Sequence, residues 1–141
     1  MPPAATTRRF FDEVFSQGDL DLVDELFAAD YVGHPSGPEQ ELRGPQGVKD
    51  YVGRLREGVP DLALTIEDQV ADGDKIATRW TARGTHDGEL LGAAPTGRMA
   101  TVTGITIQRL GPGDQIVEGW TSWDMLGMLQ QFRIAPQSAA R

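Results

Sequence analysis

Residues 62–86 read LALTIEDQVADGDKIATRWTARGTH, and this stretch decides the fold class. Thr, Val, Ile and Trp alternate with polar residues on both sides of ADGD, which is the pattern of two strands. Gly and Asp turns of this kind join antiparallel neighbours. Residues 100–110 and 115–125 alternate in the same way and are joined by GPGD. The second half of the chain is therefore predicted to form a meandering antiparallel sheet.

Apolar residues before this stretch recur instead every three or four positions, as they do in helices. Residues 10–27 contain two such runs separated by SQGD, which predicts two helices. A third helix is predicted over residues 44–61, with Pro45 in its first turn and Gly58 and Pro60 at its end. Helices followed by a sheet indicate an α+β fold.

Length and charge narrow the function classes. The 141 residues are predicted to form one domain over residues 1–141, with an ordered core of about 8–132 and flexible tails. The net charge of -8 argues against nucleic acid or an anionic membrane as partner. Cysteine is absent, which excludes disulfides and thiolate chemistry. No apolar run approaches the roughly 20 residues of a membrane span, so a cytoplasmic location is predicted.

Strand parity suggests where chemistry lies. It places Trp120 and Asp124 on one face of the last strand, and Trp80 and His86 on one face of the second. We therefore predict that indole, imidazole and carboxylate groups line one concavity. Each residue also has a structural interpretation: Asp124 can cap the helix that follows, the two tryptophans can be core residues, and His34 and His86 can be loop histidines.

The motifs of several enzyme classes are missing. The chain has no His-x-x-x-His pair, no phosphate-binding glycine loop and no Gly-x-Ser-x-Gly nucleophile elbow. The DQVADGD segment is interpreted as a solvated turn, so no metal site is predicted. Any chemistry is expected to rest on acid-base work by carboxylate and imidazole groups.

Several segments together resemble the SnoaL-like polyketide cyclases over roughly residues 8–132. They are FAADYVGHPSG at 27–37, GTH at 84–86, PTG at 95–97 and the W-x-x-x-D of GWTSWDMLGMLQQF at 119–132. This family belongs to the cone-shaped superfamily that contains ketosteroid isomerase, scytalone dehydratase, limonene epoxide hydrolase and nuclear transport factor 2. The resemblance implies a strongly curved sheet around a deep apolar pocket, closed by the N-terminal helices, and a homodimer joined through the outer face of the sheet.

The resemblance also implies an activity and site residues. In these cyclases an aspartate at the end of the final strand acts as acid and base in an intramolecular aldol closure of a hydrophobic polyketide-like substrate, and Asp124 matches it. Apolar neighbours would favour the protonated form of this carboxyl group and make it a usable acid. No metal or organic cofactor is implied, because the substrate supplies its own electron sink. The candidate catalytic residues are Asp124, His34 and His86, and the candidate substrate contacts are Trp80, Trp120, Tyr51 and Thr106.

Other functions of the superfamily stay open at this point. A steroid isomerase is disfavoured, because His34 stands near the position where that enzyme carries its base aspartate. Epoxide hydrolysis would need His34 or His86 in place of a second acid, whereas dehydration uses two histidines with an aspartate. Hydroxylation and a non-catalytic ligand-binding dimer are further alternatives. Asp124 and a histidine facing one enclosed cavity would favour an enzyme, and a filled interior would favour a scaffold.

Overall fold

The computed structural model describes residues 3–36 and 40–134. Its helices are α1 (Pro3–Arg9), which continues as a π-helical stretch (Phe10–Phe15), then α2 (Val23–Leu26), which follows a 3-10 turn (Leu20–Leu22), α3 (Gly44–Gly58) and α4 (Met125–Phe132). Its strands are β1 (Phe27–His34), β2 (Leu42–Arg43), β3 (Ala63–Asp72), β4 (Lys75–Thr85), β5 (Met99–Leu110) and β6 (Ile116–Trp123).

The six strands form one sheet in the order β2-β1-β6-β5-β4-β3. Neighbours pair antiparallel, except that β1 runs parallel to β6. The central pair, β4 and β5, stays in register from Lys75 opposite Arg109 to Thr85 opposite Met99. These elements confirm the predicted α+β fold, with helices packed on a curved, mainly antiparallel sheet.

Helix α3 follows the sequence prediction closely. Pro45 lies in the first turn, where its missing N–H costs no hydrogen bond. Val48 and Val52 are buried against the sheet, and Tyr51 and Leu55 pack beside them. The helix ends at Gly58, and the N–H of Val59 donates to the carbonyl of Leu55.

Strands β1 and β2 lie in the half of the chain that the periodicity predicted to be helical or looped. Helix α2 has only four residues, and Phe27 begins β1 rather than ending a helix. Apart from the two-residue β2, β1 pairs with β6, almost ninety residues further along the chain, so no local turn indicates this pairing. Helical spacing of Val23, Leu26 and Phe27 therefore extended the predicted helix too far.

Aromatic side chains connect the N-terminal helical region to the sheet. The rings of Phe10 and Phe27 meet edge to face with centroids 5.1 Å apart. Tyr31 packs on Phe27 in the same way at 4.8 Å, and its burial raises the pKa of the Tyr31 phenol. This cluster packs the N-terminal helical region against β1.

The ends of the described chain differ from the sequence prediction. Helix α1 begins at Pro3 and Thr7 is fully buried, so regular structure starts before residue 8. Most of the C-terminal tail that was predicted to be flexible, residues 135–141, lies outside the described residues. Within the described ranges, no helix is long and apolar enough to cross a membrane. The cytoplasmic location stays a prediction.

Candidate functional site

A cavity of about 100 Å³ lies between the inner face of the sheet and the helices. Its wall is mostly aromatic and aliphatic, with contributions from the π-helical stretch, α3, β3 to β6 and α4. The lining residues include Phe11, Phe15, Leu55, Trp80, Val102 and Trp123. No Asp, Glu or His is among the described residues that line it. Pockets for drug-sized ligands usually measure roughly 300–1,000 Å³. A polycyclic ligand would therefore require side chains of the wall to move.

The polar side chains of the wall include one hydrogen-bonded chain. The indole N–H of Trp80 donates to Oγ1 of Thr106 across 3.0 Å. Oγ1 of Thr106 lies 3.1 Å from Oγ1 of Thr121, at hydrogen-bond distance. All three residues line the cavity, and they come from the neighbouring strands β4, β5 and β6. Tyr51 of α3 also lines the cavity.

Gly104 makes room for Trp80. The two residues pair directly across β4 and β5, and both face inward. A Cβ atom on Gly104 would overlap the indole ring of Trp80 and lie 2.7 Å from Cβ of Trp123. Two tryptophans can therefore share this part of the wall because the residue between them has no side chain.

Asp124 lies at the end of β6, where it caps helix α4. Its Oδ1 accepts a hydrogen bond of 2.8 Å from the N–H of Gly127, and the residue is exposed. The capping interpretation is confirmed. The expected apolar surroundings are absent, because Asp124 is not among the residues that line the cavity, whereas the preceding Trp123 is. The catalytic role of Asp124 stays a prediction.

Trp120 lies on the opposite face of the sheet from the cavity, so the prediction that it lines the concavity with Asp124 is wrong in its geometry. Its exposed fraction is 37%, and it pairs with the outward-facing Ile107. The register between β5 and β6 shifts between Arg109 and Leu110, which leaves Val117 as an extra residue on β6. Ile116 is fully buried and Trp120 is not, although even spacing alone would place both on one face.

His34 also lies away from the cavity, at the end of β1. Its Nε2 is 2.9 Å from Oε2 of Glu118, and its ring stacks on Trp120 with centroids 5.6 Å apart. Its Nδ1 is 3.4 Å from Oε2 of Glu41. The hydrogen bond from His34, followed by that from Arg109, lowers the pKa of Glu118. His34 therefore belongs to a hydrogen-bonded group of side chains beside Trp120 rather than to the cavity.

His86 shares the inward parity of Trp80, as predicted, and it is fully buried. Its Nδ1 accepts from the N–H of Thr96 at 3.3 Å and lies 3.0 Å from the Thr96 hydroxyl. Its Nε2 has no partner among the described residues, and its ring stacks on Phe132 at 5.2 Å. Phe132 lines the cavity and His86 does not, so the phenyl ring of Phe132 separates the imidazole of His86 from the cavity.

Of the four candidate substrate contacts, the structure brings Trp80, Tyr51 and Thr106 to the cavity, and their role in binding stays a prediction. Sequence reasoning missed Thr121 and Trp123, which line it as well. Gly104 was the one signal in the sequence that pointed to this part of the wall, because a glycine within a Thr- and Ile-rich strand indicates that a neighbouring side chain approaches the backbone closely. No group of His, Cys, Asp or Glu among the described residues could hold a metal ion.

Comparisons with known proteins agree with this architecture. A family model described as SnoaL-like polyketide cyclase matches residues 5–132. IdmH of Streptomyces antibioticus, named as a candidate polyketide cyclase, is 35% identical, with 95% of this chain and 100% of that chain covered and a TM-score of 0.82. A candidate SnoaL-like polyketide cyclase from Jannaschia sp. CCS1 is 26% identical, with 95% and 93% covered and a TM-score of 0.85.

A third solved structure, AclR of Streptomyces galilaeus, is named as a candidate hydroxylase. It is 23% identical, with 95% of this chain and 97% of that chain covered and a TM-score of 0.81, which shows a common fold. The search of curated proteins found no match. The family match spans nearly the whole chain and agrees with the curved sheet and its apolar cavity: the chain belongs to the SnoaL-like polyketide cyclase family.

Proposed function

We propose that the chain binds a hydrophobic polyketide-like carbonyl compound in the cavity and promotes its aldol-type cyclisation. The observation that carries this proposal is the apolar wall, in which Trp80, Thr106 and Thr121 form one chain of hydrogen-bonding groups. Such a wall suits an uncharged molecule. Its one charged lining residue among those described, Arg83, is exposed to solvent, and an ionic group bound deeper in the cavity would lose its hydration without gaining a partner. It also suits a ligand with a carbonyl oxygen, which can accept a hydrogen bond.

Ring closure by an aldol reaction requires two proton transfers and the correct positioning of two carbon atoms. A carbon between two carbonyl groups loses a proton. This carbon then forms a carbon–carbon bond to the carbon of another carbonyl group in the same molecule, and the resulting alkoxide takes up a proton. Holding the flexible substrate so that the two carbons meet supplies much of the acceleration. A narrow apolar cavity favours folded, compact conformers of the substrate and excludes extended ones.

Asp124 remains the predicted acid and base for the proton transfers. Its support is the family resemblance and its position directly after Trp123, which lines the cavity. Since the N–H of Gly127 occupies Oδ1, the substrate would have to approach the other carboxylate oxygen. Epoxide hydrolysis and dehydration are less well supported, because both call for a histidine in the cavity and neither His34 nor His86 lines it.

Ligand binding without catalysis is the second candidate function. It is favoured by the absence of Asp, Glu and His from the described residues of the cavity wall. A wall of this kind recognises a neutral ligand but holds no lining carboxylate or imidazole to move a proton. The two functions differ in whether a bound compound is converted.

The test is to incubate the protein in deuterated buffer with a panel of 1,3-dicarbonyl and anthraquinone-type polyketide esters. Deuterium at the activated carbon and ring-closed product are then followed by NMR. Asp124→Asn keeps an N-cap side chain, so its fold is expected to be intact. Loss of turnover in this variant supports the carboxylate as acid and base, whereas unchanged turnover removes Asp124 from the mechanism.

A variant of the wall controls for the site of reaction. Ala82 lines the cavity, and Ala63 is an exposed residue of β3 that lies outside the cavity wall. Ala82→Leu is expected to abolish turnover by filling the cavity, and Ala63→Leu is expected to retain it. Binding of a panel compound in the cavity without turnover of any compound would favour the second function.

We also propose a homodimer joined through the outer face of the sheet. Apolar residues cross this face in neighbouring strands and form what is called here the outer patch: Val70, Ala77, Ile105, Ile107 and Trp120. The exposed fractions of Val70, Ile105 and Ile107 are 62%, 47% and 38%. Contiguous apolar surface of this kind marks an interaction site, and the family resemblance names a second copy as the occupant.

A further inference from the structure

We propose that the Thr121 hydroxyl is the point of the cavity that binds a carbonyl oxygen of the ligand, with Trp80 and Thr106 orienting its proton. This inference deepens the proposed function and rests on it, since it assumes that the cavity is the binding site. It assigns a specificity-determining role to Thr121, which pairs with Thr106 across β5 and β6.

A count of protons supports the assignment. The indole N–H can only donate, so Oγ1 of Thr106 is the acceptor of the bond from Trp80. The two threonine hydroxyls carry two protons, and their mutual bond uses one of them. Neither hydroxyl makes another side-chain hydrogen bond with the described residues, apart from the one from Trp80 to Thr106. One hydroxyl proton therefore remains for a ligand.

The direction of the hydrogen bonds from Trp80 through Thr106 assigns that proton to Thr121. A hydroxyl that accepts a hydrogen bond becomes a better donor, so the bond from Trp80 polarises Thr106 towards donation. Thr106 is buried with an exposed fraction of 7%, whereas Thr121 is half-buried. When Thr106 donates to Thr121, the Thr121 proton is directed to the ligand.

A neutral hydroxyl donor in a mainly apolar wall favours ligands that carry a hydrogen-bond acceptor. A ketone, quinone or ester oxygen accepts the Thr121 proton, and the remainder of the ligand contacts aromatic rings. A hydrocarbon of the same shape leaves the donor unpaired. The same hydrogen bond would stabilise the oxygen of an enol or enolate, where negative charge develops during proton loss from the neighbouring carbon.

The experiment compares two compact probes, 1-indanone and indane, which differ by one carbonyl group. Their dissociation constants are measured by NMR titration of wild type, Thr121→Val and Thr121→Ser. Valine removes the hydroxyl and keeps the branched shape, and serine keeps the hydroxyl. Thr121→Val is expected to weaken 1-indanone on the order of fivefold and to leave indane within about twofold. Thr121→Ser is expected to restore 1-indanone binding.

A second readout reports the hydrogen bond itself. The carbonyl carbon of ¹³C-labelled 1-indanone is expected to shift downfield when bound to wild type and to Thr121→Ser, but not when bound to Thr121→Val. Thr103→Val is the matched control, because Thr103 is an exposed residue on β5. Circular dichroism confirms that each variant is folded.

The outcomes separate this inference from the function on which it rests. Equal affinity of 1-indanone for wild type and Thr121→Val, with the downfield shift retained, would overturn the role of Thr121 while leaving the cavity as a binding site. Failure of both probes to bind wild type would overturn both proposals. A fivefold loss confined to 1-indanone, reversed by serine, supports them together.

Discussion

Gly104 controls the position of Trp80, and through it the hydrogen bond to Thr106. Its missing side chain leaves the space that the indole ring occupies between β4 and β5. A methyl group there would collide with the ring and with Cβ of Trp123 at 2.7 Å. Trp80 is buried and Trp123 is half-buried, and both line the cavity, so neither can move aside without disturbing the cavity wall.

Gly104→Ala is therefore expected to lower the free energy of unfolding by about 1–3 kcal/mol. Chemical denaturation followed by circular dichroism measures the change. Gly53→Ala is the control, because its nearest neighbour would be Cδ1 of Leu20 at 4.0 Å and alanine favours a helix. A loss of stability in Gly53→Ala as large as that in Gly104→Ala would refute the steric explanation.

The sequence predicts some residues of the site and not others. Parity correctly grouped Trp80 with its inward neighbours in β4, because that strand alternates without interruption up to Thr85. Parity failed for Trp120, because alternation reveals which residues share a face but not which face is inward. The extra residue at Val117 added to the error by placing the buried Ile116 and the exposed Trp120 at even spacing.

At the scale of elements, Arg56 joins α3 to the N-terminal helical region. Its guanidinium donates to the carbonyl oxygens of Phe15 at 2.7 Å, Ser16 at 3.1 Å and Leu62 at 3.1 Å. One side chain thus serves the end of the π-helical stretch and the loop before β3. Phe15 and Leu62 also line the cavity, so Arg56 supports the wall from outside.

Arg56→Met is expected to lower the free energy of unfolding by about 2 kcal/mol, because several carbonyl oxygens lose a charged donor. Arg54→Met, at an exposed position of the same helix, is the control and should stay within about 0.5 kcal/mol of wild type. Urea denaturation of the two variants provides the comparison. Similar stability of both would show that the Arg56 contacts contribute little.

Asp61 connects the loop after α3 to the end of β4. Its Oδ1 accepts from the N–H of Thr85 at 2.7 Å, and its Oδ2 accepts from the Thr85 hydroxyl at 2.9 Å. The backbone hydrogen bond is the main cause that lowers the pKa of Asp61. A carboxyl group whose pKa is lowered by folding stabilises the protein above its unfolded pKa, and this contribution is lost as the pH falls through the folded pKa.

The difference in melting temperature between wild type and Asp61→Asn is thus expected to be largest above about pH 4 and to shrink at lower pH. Thermal melts between pH 2 and pH 7 measure it, with the exposed Asp74→Asn as control. A difference that is constant across this range would contradict the ionic origin of the effect.

Elements that depend on local interactions could be predicted from the sequence, and elements that depend on distant segments could not. Helix α3 could be predicted because its first-turn proline, apolar stripe and terminal glycine are local signals. Strand β1 could not, because its pairing with β6 joins distant segments and its first residue continues a helical spacing. The burial of His86, directly after β4, could not be predicted either, because its hydrogen bonds are made with the later segment 96–98.

At the scale of the whole molecule, the two faces of the sheet have separate roles in this account. The inner face forms the cavity, and the outer patch is proposed as the dimer interface. The cone architecture was accessible from the sequence because its motifs recur in order along residues 27–132. The placement of reactive groups was not, because it depends on strand register.

Charging the outer patch is expected to separate the proposed dimer into monomers. Ile107→Lys places an ammonium group at the centre of the patch, where burial against a second copy would be costly. Leu126→Lys is the control, since Leu126 has an exposed fraction of 58% but lies on α4. Sedimentation velocity should give a dimer for wild type and Leu126→Lys and a monomer for Ile107→Lys. A wild-type monomer at high concentration would refute the dimer.

The central claim, that the cavity is the binding site, can be tested directly with the three tryptophans of the chain. Trp80 and Trp123 line the cavity, and Trp120 lies on the outer face. The measurement is a ¹⁵N-indole NMR titration with the polyketide esters, with the signals assigned by single Trp→Phe variants. The account predicts that the Trp80 and Trp123 signals shift together while Trp120 stays constant. A shift of Trp120 alone, or of none of the three at saturating ester, would contradict it.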